Sequence, residues 1–72
     1  MTPRLPALTA KDIIAVLERH GFRRVRQSGS HVIFRRADGR RATAPVHGKR
    51  DLGRGLLRQI MRDADLRVTD LL

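Results

Sequence analysis

Apolar residues at helical spacing open the chain. Ile13, Val16 and Leu17 recur every three or four positions, with His20 on the same side one turn later, which predicts a helix with one buried face. Thr9 precedes it as an N-cap candidate, Asp12 falls in the first turn where the helix dipole favours an acid, and Gly21 fits a left-handed stop. The helix is therefore expected over about Ala10–His20, after an extended leader at residues 1–8. The period then shortens. Phe22–Gln27 reads as a strand with Phe22 and Val25 as its apolar content, Ser28-Gly29-Ser30 as a tight turn, and His31–Arg36 as a second strand. In that second strand Val32 and Phe34 point one way, and His31, Ile33 and Arg35 the other.

Asp38-Gly39 is a strong hairpin signal, so Arg41–Val46 should pair back as a third strand, with Pro45 at its end or at an edge. After the loop HGKRDLG, Asp51 stands where it could cap or precede a second helix. Leu56, Leu57, Ile60, Met61 and Ala64 form the apolar stripe of that helix, and Leu66 closes the core. Residues 67–72 read as a tail. The predicted class is α+β in the order α-β-β-β-α: a three-stranded antiparallel sheet with two helices on one face. Val32 and Phe34 would face the helices and His31 and Arg35 the open side, an assignment that a one-residue slip in register would invert.

Length and composition narrow the function classes. A chain of 72 residues is one domain, burying roughly 60% of its unfolded surface. There is no cysteine, which excludes disulfides, thiolate metal sites and thiol catalysis. No apolar run reaches the ~18 residues of a membrane span, and MTPRLPALTA lacks the apolar core of a secretory signal. The expectation is a soluble, cytoplasmic protein with no membrane partner.

Charge changes the picture more. The net charge is +9, and it is unevenly placed: Arg23, Arg24, Arg26, Arg35, Arg36, Arg40 and Arg41 crowd one region against the single acid Asp38. A concentrated positive field attracts polyanions, and the planar guanidinium suits bidentate phosphate contacts. Nucleic acid is the expected partner.

Few kinds of chemistry survive inspection. No two of the seven acids recur at a spacing that would converge them on a cleft. The histidines His20, His31 and His47 lack the cysteines or acid cluster of a metal site, and no glycine-rich loop precedes a helix as a phosphate cradle would. Neither a metal nor another cofactor is expected. What remains is histidine acid–base chemistry on RNA, which carries its own nucleophile in the 2′-hydroxyl and needs a base, an acid and cations beside the phosphate. Imidazole titrates near neutrality and suits that work. Small neighbours allow a backbone to approach His31 closely, Ser28 and Ser30 offer hydroxyls and N–H groups, and Arg24, Arg26 and Arg35 can supply cations. On pattern alone three readings stay open: a catalyst, a non-catalytic RNA-binding module, and a protein-interaction subunit whose arginines meet an acidic partner. Scarce aromatics argue against a single-strand binder built on stacking.

The stretches GFRRVRQSGSHVIFRR and TAPVHGKRDLGRGLLRQIMRDADL resemble the HicA toxin family of bacterial and archaeal toxin–antitoxin modules, over about Leu5 to Leu66. The resemblance rests on Gly21-Phe22, Gln27-Ser28-Gly29-Ser30-His31, Phe34, Pro45-Val46-His47-Gly48, Asp51-Leu52, Gly55, Leu57, Arg58 and Ile60 in order. It implies a fold like that of double-stranded-RNA-binding domains, and a small metal-independent endoribonuclease that cleaves mRNA and halts translation. It also implies that His31 is the catalytic residue, and that a HicB-type antitoxin masks the site. The expected RNA-binding set is Arg24, Arg26, Gln27, Ser28, Gly29, Ser30 and Arg35, with His47 and Lys49 bordering it. Two departures from the family pattern are Leu56, where threonine is frequent, and Asp65, where glycine is common.

Overall fold

A computed structural model of the chain describes residues 5–46 and 50–71. The elements follow in the order α1 (Ala10–Arg19), β1 (Arg23–Ser28), β2 (His31–Arg35), β3 (Arg41–Pro45), α2 (Arg54–Ala64) and a short 3-10 helix (Val68–Leu71). The three strands form one antiparallel sheet in the order β1-β2-β3. This is the α-β-β-β-α arrangement the sequence predicts.

Local chemistry explains the boundaries. The Asp12 N–H donates to Thr9 Oγ1 and the Thr9 N–H to the Asp12 carboxylate, a capping box that satisfies two orphan donors at the start of α1. At its other end Gly21, with φ +88°, lets the Phe22 N–H reach the Leu17 carbonyl and its own N–H reach that of Glu18. That is the Schellman stop, and it turns Phe22 back onto the core. Phe22 therefore precedes β1 and lies buried under the Arg36 guanidinium, whose carbon is 5.2 Å from the ring centre. The same closure ends α2, where the Leu66 N–H donates to the Met61 carbonyl. Here Asp65 takes the left-handed conformation, with φ 56°.

The core lies on one face of the sheet. Val32 and Phe34 of β2 and Ala42 and Ala44 of β3 pack against Ile13, Val16 and Leu17 of α1 and Leu57, Ile60, Met61 and Ala64 of α2. Both helices rest on β3, where alanines leave room for their approach. As predicted, Leu66 closes this core.

Two expectations need correction, and two left open are decided. Val25 is not strand core: it is 54% exposed, because an extra residue bulges β1 between Arg24 and Arg26. Leu56 is 41% exposed and leaves the apolar stripe narrower than predicted. Of the two roles expected of Asp51, it precedes α2 and does not cap it: it bridges to Thr9, beside a hydrogen bond from the Leu52 N–H to the Leu8 carbonyl, and Gly53 is the N-cap with no side-chain hydrogen bond. Residues 68–71 of the tail, whose order the sequence leaves open, form the 3-10 helix and bury Leu71 against the core.

Candidate nucleic-acid interface

The turn before β2 sets the site. Ser28 pairs with His31, leaving Gly29 and Ser30 as a two-residue hairpin loop. Gly29 has φ +57° and Ser30 is not among the positive-φ residues, the pattern of a type II′ turn with glycine first. His31 is thus the first residue of β2, fixed immediately beyond a tight turn. Gln27 braces that turn, its side-chain amide donating to the Gly29 carbonyl at 3.1 Å. The Val46 N–H donates to the Ser30 carbonyl, so the end of β3 is tied to the same corner.

Strand register sorts the side chains by face, because residues directly opposite in an antiparallel pair share a face. On the open face, opposite the helices, three cross-strand rows run along the sheet. Ser28, His31 and Pro45 form the first, Arg26, Ile33 and Thr43 the second, and Arg23, Arg35 and Arg41 the third. His31, Arg26 and Arg35 are all exposed there. Of the predicted set, Ser28, Arg26 and Arg35 therefore share the face of His31.

Arg24 and Gln27 do not. They lie opposite Phe34 and Val32, so they belong to the helix side of the sheet. They are nonetheless exposed, because every residue of β1 is exposed while the helices rest on β3. Gly29 and Ser30 are exposed at the turn itself. His47 and Lys49 lie outside the described residues.

Electrostatics separates arginines that look alike in sequence. Among the described residues the ion pair is Arg36–Asp38, at 2.7 Å; His20 Nε2 also lies 4.0 Å from the Asp70 carboxylate, an ion pair only when the imidazole is protonated. Asp38 takes hydrogen bonds from the Arg36 guanidinium and from the Arg40 N–H, which hold its carboxyl down at about 2. Arg36 is thereby committed to the β2–β3 turn. Arg23, Arg26, Arg35 and Arg41 face no carboxylate within ion-pair distance among the described residues. Sequence reasoning left Arg23 and Arg41 out of the site; the signal that finds them is their register opposite Arg35.

No group of three or more histidines and acids converges among the described residues as a metal site would. No helix among them is long and apolar enough to cross a membrane. The family model described as HicA toxin of bacterial toxin–antitoxin matches residues 10–66, from the start of α1 to the leucine that closes the core. Comparison with the curated proteins gives no match.

Proposed function

The chain belongs to the HicA toxin family of bacterial toxin–antitoxin systems, and from that premise we propose that it is a metal-independent endoribonuclease that cleaves mRNA with His31 as general acid or base. The observation that carries this reading is the position of His31. It is exposed on the open sheet face beside Ser28, with Arg26 and Arg35 on the same face. An RNA strand laid along that face would meet the imidazole at its 2′-hydroxyl or its leaving 5′-oxygen. Guanidinium groups would balance the charge that grows on phosphate in the transition state.

Gln27, Gly29 and Ser30 complete the RNA-binding surface around the turn, Arg24 adds a cation on the helix side of the sheet, and His47 and Lys49, outside the described residues, are further expected RNA contacts. The partner that restrains the toxin is a HicB-type antitoxin covering His31, and both act in the cytoplasm.

The test compares the parent with His31→Ala on labelled RNA. The variant should keep its circular dichroism spectrum and lose cleavage and growth arrest, and parental cleavage should survive EDTA. An alanine variant that cuts at the parental rate removes His31 from the mechanism. A parent that binds duplex RNA over hours without cutting it points instead to a non-catalytic binding module.

A further inference from the structure

The third row of the open face brings three like charges together. Arg23, Arg35 and Arg41 stand directly opposite one another on three adjacent strands, and like charges so placed repel. All three are exposed, and none has a carboxylate within ion-pair distance among the described residues. The row spans two interstrand gaps, about 10 Å, and Arg35 lies four residues beyond His31, about 13 Å along β2. Arg23 and Arg35, though not Arg41, also line an open depression of ≈ 530 Å³ at the end of the hairpin away from the Gly29 turn, together with Gly21, Arg36 and Ala37. Val25, pushed out by the bulge, gives that depression an exposed apolar wall.

We propose that Arg23, Arg35, Arg41 and Val25 form a second nucleotide subsite for single-stranded RNA. The arginine row holds phosphate, and a base lies against Val25 and the guanidinium planes. The inference rests on the ribonuclease reading and gives its substrate a class and a direction: an unpaired strand running from His31 along β2. Phosphate neutralises the like charges that the row brings together, so binding there relieves their repulsion. Base contact there requires an exposed base face, and a duplex hides its base faces in the stack. Arginine planes and an aliphatic wall take the part that aromatic side chains play in other single-strand binders.

The experiment uses the His31→Ala protein, so that binding is read without cutting. Its probe is a fluorescein-labelled oligouridylate of about ten nucleotides, followed by anisotropy. Arg23→Gln with Arg41→Gln should weaken binding about tenfold more than Arg19→Gln with Arg67→Gln, which removes equal charge from exposed positions outside the sheet. The slope of log affinity against log salt should fall by about 0.7 for each phosphate the variant no longer neutralises. Val25→Ser should weaken binding about fivefold and leave that slope unchanged.

Equal losses in the two double variants overturn the subsite, as does tighter binding of a duplex of the same length. So does a row needed to capture the antitoxin but not RNA. The nuclease reading falls separately: a parent that cuts nothing, yet needs Arg23 and Arg41 to bind the oligouridylate, keeps the subsite and loses the catalyst.

Discussion

Asp38 accepts hydrogen bonds from Nε and Nη2 of Arg36, at 3.0 and 2.7 Å, and so takes out of circulation the one arginine that follows Arg35. Two neighbours in sequence thus have different duties. Arg35 stands on the open face in a row of arginines, while Arg36 lies over Phe22 and pins the β2–β3 turn.

That division is testable by exchange. Arg35→Gln should lower RNA affinity and cleavage while leaving the melting temperature nearly unchanged. Arg36→Gln should do the reverse, lowering the melting temperature by removing the charge-assisted pair and the cover over Phe22. RNA binding by anisotropy and thermal melting of both variants decide the matter. Equal effects on binding would show that the two arginines are interchangeable.

The same carboxylate predicts a dependence on pH. Asp38 ionises at about 2 in the folded chain, against an ordinary value of 3.8, because Arg36 and the Arg40 N–H bind its charged form. A depressed acid contributes stability that is fully present above its unfolded value and is lost as pH falls through the folded value. The contribution of this turn should therefore hold at pH 5 and fade between about pH 4 and pH 2. Carboxyl chemical shifts followed by NMR should give Asp38 the low midpoint, and Asp38→Asn should remove that part of the acid sensitivity.

Gly29 should resist substitution for conformational reasons alone. A side chain there would meet no heavy atom within 4 Å, but the residue holds φ +57°, which costs an L-residue about 1 kcal/mol or more. Gly29→Ala should lower the melting temperature by about 4–8 °C for each kcal/mol of stability removed. It should also depress cleavage more than that loss implies, since the turn sets His31. Gly29→Asn, which tolerates a positive φ better than alanine, should recover part of both. Melting curves and cleavage rates for the pair provide the check.

Asp65 offers a change in the opposite direction. It caps α2 in the left-handed conformation, with φ 56°, and places an acid at a helix C-terminus where the dipole disfavours it. Asp65→Gly should relieve about 1–2 kcal/mol of left-handed strain against about 0.4–1 kcal/mol of added unfolded-state entropy, a small net stabilisation. A urea midpoint shifted upward with an unchanged slope would bear this out.

Much of this molecule was readable from short-range signals. Thr9 with Asp12, Gly21, Gly29 and Asp38-Gly39 act within a few residues of themselves, so helix limits and turns could be placed before any tertiary contact was known. Alternation in Val32-Ile33-Phe34 likewise assigned His31 and Arg35 to the face away from the core. Where reasoning from sequence failed, the cause was non-local. The bulge at Val25 is a property of two paired strands, and the burial of Leu71 comes from packing of the C-terminal 3-10 helix on the core.

By itself the sequence determined the order of elements, the core face of β2 and the placing of a histidine just beyond a glycine turn. These follow from side-chain period and from backbone conformations that few residues adopt. Only the tertiary structure decided which strand the helices leave bare and which arginines meet across the sheet. Only it showed which of two adjacent guanidinium groups an acid holds. Such pairings bring together residues distant along the chain, and no local propensity records them.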